Sequence, residues 1–159
     1  MNPWIGVAGT LLGVVVGFGL NWWRDERRRK ATRRALWTAL ECDLEKSRSN
    51  ALGFLAATID APAYRLPTRA FDDLVPRLLE DGAMNEDEYA PLLDFFHVVD
   101  QANRGLDLAQ AAVERGDTEQ QNKEGRRVRM KMQSLVEGRE GRPPLHPAAA
   151  AVVRRHLSR

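Results

Sequence analysis

"GTLLGVVVGFGLNWWRDERRRKATRR", residues 9–34, sets an uncharged run, a tryptophan pair and an arginine cluster within a few helical turns of one another. Working outward from it, residues 1–23 carry no charged side chain, and from Trp4 to Trp23 only Thr10 and Asn21 are polar. Those roughly 20 residues would form a helix about 30 Å long, the thickness of a bilayer's hydrocarbon core. A helix at the centre of a soluble bundle would also be apolar all round, but such helices seldom stand at a chain end against an arginine cluster. A secretion signal starts with basic residues and ends in small ones. Here the order is reversed: "MNPW" lacks a basic side chain, and the far end reads "NWWRDERRRK". Trp4 at one end and Trp22 and Trp23 at the other stand where interfacial aromatics belong. The stretch reads as an uncleaved, single-pass anchor.

The basic foot holds Arg24, Arg27, Arg28, Arg29, Lys30, Arg33 and Arg34 against Asp25 and Glu26. Lys and Arg beside a span are retained on the cytoplasmic side. The expected topology therefore has the N-terminus outside and everything after residue 24 in the cytoplasm. With no organelle signal in the chain, a bacterial inner membrane is the expected location. The same cations are expected to attract anionic lipid headgroups, at about 1 kcal/mol per residue near the surface. Nucleic-acid binding would need aromatics or a recognition fold beside the charges, and neither is evident.

Within the run, Gly9, Gly13 and Gly17 recur every four residues, flanked by Val14, Val15 and Val16. On a helix they share one face and leave a groove without side chains, so that a second helix can approach closely. A homo-oligomer is the expected result, of unspecified number.

The chain of 159 residues has room for one domain plus an appendage. Its 24 Lys and Arg against 22 Asp and Glu leave a net charge of +2, so overall charge does not mark a nucleic-acid protein. The single cysteine, Cys42, cannot form an internal disulfide, which suits a reducing compartment. Four segments are expected: the anchor 1–23, a basic neck 24–34, a cytoplasmic helical bundle 35–137, and a loop with a C-terminal helix over 138–159.

The part after the neck reads as helix nearly throughout. Leu36, Leu40, Leu44, Ala51, Leu55 and Ile59 form one stripe on a helix continuing from the anchor, weakened at Gly53. Pro62 and Pro67 break it. Thr68 is the expected cap of a short helix bearing Phe71, Leu74 and Val75, with Pro76 opening a further turn and Gly82 ending it. Asn85 with Glu88 three residues on restarts the chain as a capping box. The stripe that follows is Tyr89, Leu92, Leu93, Phe96, Val99, Asn103, Leu106, Gln110 and Val113, up to about Arg115 and Gly116. Asp117, with Gln120 three on, caps a helix carrying Val128, Met132, Leu135 and Val136. "GREGRPPLHP" is a loop, and Pro147 suits the first turn of a last helix, Ala148 to Leu157. The fold class expected is all-α: a transmembrane helix continuing into a long helix, packed as a helical hairpin or three-to-four-helix bundle.

"RRALWTALECDLEKSRSNALGFL" (33–55) and "LPTRAFDDLVPRLLEDGAMNEDEYAPLLDFFHVVDQANRGLDL" (66–108), following the anchor and foot, carry a resemblance. The chain over 4–110 resembles a diffuse group of small bacterial membrane proteins. These have one N-terminal span, an arginine-rich neck, a long helix, an L-P-T turn before an aromatic, and a helix with aromatic and Asn positions. The resemblance implies the architecture and no activity.

Signatures of catalysis are missing. There is no G-x-S-x-G, no P-loop and no glycine-rich loop after a strand. His97, His146 and His156 have no metal-ligand spacing to one another or to Cys42, so no metal, cofactor or catalytic residue is expected. Asp100, Asn103 and Asp107 are expected to bond across to Asp43, Ser47 or Asn50 and fix register. Arg126, Arg127, Arg129 and Lys131 make a second basic patch, read as a solvated face. Two function classes survive. The first is a membrane-tethered, self-associating interaction or scaffold module with an unidentified cytoplasmic protein partner. The alternative is a membrane-acting effector of toxin or phage-defence type. A span without polar lining beyond Thr10 and Asn21 argues against a conductive pore.

Overall fold

The computed structural model describes the backbone of residues 3–56 and 65–158, and the side chains of residues 21–56 and 65–158. Its regular structure there is all helical: α1 (Pro3–Leu55), α2 (Arg69–Glu80), α3 (Glu86–Glu114), α4 (Thr118–Val136) and α5 (Leu145–Leu157). The chain divides into two compact units, Met1–Ala35 and Leu36–Arg159. In the first unit the backbone of α1 is helical from Pro3. Among the described residues no helix is long and apolar enough to cross a membrane. The expected span, 4–23, falls over residues 4–20 outside the described side chains, as do Gly9, Gly13 and Gly17.

In the second unit one core joins the helices. α1 supplies Trp37, Leu40, Leu44 and Ala51; α2 supplies Val75 and Leu78; α3 supplies Leu92, Phe95, Phe96, Val99, Ala102 and Leu106. α4 adds Val128, Met132 and Leu135, and α5 adds Ala149, Val152 and Val153. Leu36 and Leu55 pack against this core, as the stripe on α1 requires; Ile59 lies outside the described residues. The aromatic centre is Phe71 stacked on Phe96 at 4.6 Å, with Phe95 edge-on to Phe96 at 5.2 Å.

Local chemistry sets the helix ends. Asn85 accepts from the Glu88 N–H at 2.9 Å while the Glu88 carboxylate accepts from the Asn85 N–H at 3.2 Å, a complete capping box. Asp117 accepts from the Gln120 N–H at 2.9 Å. Gly82, at φ +61°, ends α2, and the Ala83 N–H closes it onto the Leu78 carbonyl at 2.8 Å.

Three expectations need correction. Thr68 occupies the cap position of α2, but its side chain makes no capping bond. The Ala70 N–H instead donates to the Asp43 carboxylate of α1 at 2.9 Å, so a neighbouring helix supplies the anion that a helix start favours. Pro76 opens no new turn; α2 is continuous, and the proline stands on its exposed side. On α3, Leu93 and Val113 are 40% and 50% exposed, and Gln110 is exposed as well. The buried face runs instead through Phe95, Ala102, Gly105, Ala109 and Ala112. The small side chains are there because α4 lies close: a Cβ built on Gly105 would stand 2.6 Å from Val128 Cγ2.

Candidate functional site

The basic foot is described from Asn21 onward. Trp22 is 71% exposed and Trp23 49% exposed. Arg27 lies one turn beyond Trp23 and sets its guanidinium 3.7 Å from the ring centroid, a cation–π contact that a four-residue helical spacing allows. Lys30 pairs with Glu26 at 3.6 Å. Arg24, Arg28, Arg29 and Arg34 are exposed, and Arg33 is half-buried. Two large indoles beside a crown of cations form a surface suited to the headgroup layer of a membrane, where one end of the indole is apolar and the other wet.

The polar positions foreseen on α3 are brought together with α1, though not by direct contact. Both clasp the stretch 65–68 that leads into α2. Asn103 accepts from the Leu66 N–H at 2.8 Å and donates to the Leu66 carbonyl at 2.9 Å, so one amide replaces a β-ladder partner. The Arg65 guanidinium donates to Asp107 at 2.9 Å. From α1, Ser47 donates to the Pro67 carbonyl at 3.5 Å. Leu66 itself is buried in the core. Asp100 stays on its own helix, paired with Arg104 at 2.7 Å. These groups secure the entry to α2, and Thr68 and Asp100 line a neighbouring cavity of about 200 Å³.

Two histidines set aside on spacing turn out to lie where α5 meets the other helices. His156 lies face to face with Trp37 of α1, centroids 4.1 Å apart, and its Nε2 stands 3.0 Å from the Glu88 carboxylate of α3. Arg155 adds a contact to Glu88 at 3.7 Å. Burial alone would raise the Glu88 carboxyl; the Asn85 N–H, His156 and Arg155 together overcome it and hold Glu88 below the ordinary carboxylate range. At the other end of α5, His146 is 6% exposed and its Nε2 has no hydrogen-bond partner, with Glu45 of α1 at 3.5 Å. Burial lowers the His146 pKa; Glu45 opposes that, and Arg48 and Arg154 reinforce it. Arg154 donates to Glu45 at 2.9 Å. No local pattern announces these partners, because 68 residues separate Glu88 from His156 and 109 separate Glu45 from Arg154. The one available hint was cations in the last turn of a helix, which the macrodipole favours.

α4 is flanked by two grooves. One, of about 360 Å³, is lined by Arg104, Arg127, Lys131 and Arg139 around Glu124. Glu124 is buried and accepts from Gln120 and Arg127, each at 2.9 Å. The other, of about 470 Å³, has Ala109, Val113 and Gly125 for a floor and Arg126 and Arg129 at its edge. The second basic patch is thus divided between two clefts. Among the described residues no group of three His, Cys, Asp or Glu side chains could hold a metal, and Cys42 is exposed and free.

Comparison with protein-family models, curated proteins and solved structures found no match to this chain.

Proposed function

We propose that this chain is a membrane-anchored, self-associating interaction module. The uncharged run anchors it at a bacterial inner membrane, the basic foot holds the remainder in the cytoplasm against anionic headgroups, and the helical unit engages a protein partner. The observation that carries the reading is the junction at residues 21–30. An uncharged helical segment passes without interruption into exposed Trp22 and Trp23, and then into the cations from Arg24 onward. Exposed indoles are costly in water and favoured at a lipid interface, where Trp23 and its Arg27 partner find both of their preferred surroundings. The absence of catalytic signatures in the sequence supports a binding role over an enzymatic one. The resemblance to small bacterial single-span proteins supports the anchored architecture and says nothing about activity.

Self-association is assigned to the face of Gly9, Gly13 and Gly17, where paired backbones gain dispersion contacts. Crosslinking in native membranes tests it. Gly13→Ile keeps the run apolar and blocks the closest approach, so the crosslinked oligomer should diminish sharply. Val14→Ile, on another face, should crosslink as the parent does. Equal crosslinking of Gly13→Ile and parent would remove the glycine face as the interface.

A further inference from the structure

The groove between α3 and α4 has an apolar floor that no described residue fills. On the α3 side Val113 is half exposed and Ala109 buried, and on the α4 side Gly125 has no heavy atom within 4 Å of where its Cβ would be. Arg126 and Arg129 stand along the edge, both exposed, and neither is ion-paired among the described residues. A ligand for this groove needs an apolar ridge flanked by carboxylates.

The chain carries such a ridge at the opposite end of α3. Glu86, Ala90, Leu93 and Asp94 fall at i, i+4, i+7 and i+8, sharing one helix face, with Asp87 beside them. All five are exposed, Leu93 at 40%, and the three acids lack an ion-pair partner among the described residues. Their face is turned away from the core, which α3 meets through Leu92, Phe95, Phe96 and Val99. Asp87 and Val113 lie 26 positions apart on α3, or about 39 Å at the helical rise. One molecule therefore cannot satisfy its own groove with its own ridge.

We propose that the α3–α4 groove of one copy receives the acidic N-terminal ridge of α3 from a second copy. Leu93 seats on the floor beside Val113 and Gly125, and Glu86, Asp87 and Asp94 meet Arg126 and Arg129. This is an amphipathic helix laid in a groove, with Ala90 and Leu93, three residues apart, as its apolar contacts. Ridge and groove are different patches, so each contact pairs one with the other, either reciprocally about a two-fold axis or head to tail in a ring. Opposite charge at the edge steers the encounter and makes it sensitive to salt. The inference rests on the self-association reading and adds to it a second, cytoplasmic contact independent of the glycine face.

The test uses the full chain in mild detergent, carrying Gly13→Ile so that this contact acts alone. Its mass is followed by light scattering at low and high salt. The chain should associate at low salt and dissociate at high salt. Arg126→Glu with Arg129→Glu should weaken association by at least about tenfold, as should Asp87→Lys with Asp94→Lys. An equimolar mixture of the two variants should restore it, since each supplies the complement of the other. The neutral pair Arg126→Gln and Arg129→Gln, which spares helix stability, should give an intermediate loss. Reversed variants that associate as the parent does, or a mixture that stays monomeric, would overturn the proposal. So would a monomeric Gly13→Ile chain at low salt; an oligomeric parent in that case leaves the glycine reading standing, and a monomeric parent ends both. Binding of a single-stranded oligonucleotide, lost on charge reversal with no change in mass, would assign the groove to nucleic acid instead.

Discussion

His146 shows how a single side chain can set an acid limit on the fold. Its ring is enclosed between Glu45, Arg48 and Arg154, with Phe95 edge-on at 6.1 Å, and its Nε2 finds no hydrogen bond. A histidine held neutral in the folded chain, with its pKa lowered by burial, takes up its proton more readily when unfolded. Its contribution is complete above the unfolded value of about 6.5 and is lost as pH falls through the window beneath it. Glu88, lowered as well, contributes fully above about 4.3 and loses that contribution as pH falls through its own lower folded value. His146→Phe keeps a flat apolar ring and removes the orphaned nitrogen, and such replacements are near neutral or stabilising. Thermal melts of the variant should match or exceed the parent at pH 7.5 and lose less on acidification from 6.5 to 5.5. A parent whose melting temperature is flat over that interval would refute this account of His146.

Among the elements, the α3–α4 pair decides most about how the helical unit packs. Local signals at the helix starts were legible: Asn85 with Glu88 and Asp117 with Gln120 depend on residues three apart, and the chain supplies them wherever it folds. The face of α3 was not. Counting large apolar side chains put Leu93 and Val113 inward, yet α4 approaches a strip of Ala102, Gly105, Ala109 and Ala112 whose value lies in what it lacks. Periodicity weighs bulk and is blind to a close approach. Two glycines turn this into a measurement. Gly125 has open space where a Cβ would go, so Gly125→Ala should stabilise by roughly 0.5–1 kcal/mol through helix propensity. Gly105→Ala has the same propensity gain but must displace the stiff Val128 side chain from 2.6 Å, and overpacking of that kind costs about 1–3 kcal/mol. Denaturant unfolding should therefore place the two variants on opposite sides of the parent, and Val128→Ala should relieve the cost of Gly105→Ala. Equal stabilisation by both alanines would mean the helices are farther apart than described. The His156–Glu88 contact and the Leu66 clasp were out of reach for a related reason: their partners come from elements distant in sequence, and no local pattern encodes the meeting.

For the whole molecule, the division into Met1–Ala35 and Leu36–Arg159 places the arginine foot in the first unit and the packed core in the second. The all-α class was readable throughout, because caps, proline breaks and 3.6-residue stripes agree with one another over the helices described. The expected anchor rests on chemistry alone: a run without charge, bounded by tryptophans, beside a foot of arginines. On the proposed reading those cations and exposed indoles would meet a lipid surface, and the self-association proposed for the glycines would hold several helical units over one patch of membrane. The most direct test fuses, after Arg159, a fluorescent protein that matures only in the cytoplasm, and measures the fluorescence retained by membranes washed with alkaline carbonate. An anchored chain with its helical unit inside keeps the fluorescence in the membrane pellet. Fluorescence released into the wash would contradict the anchor, and a dark fusion retained in the pellet would contradict the orientation.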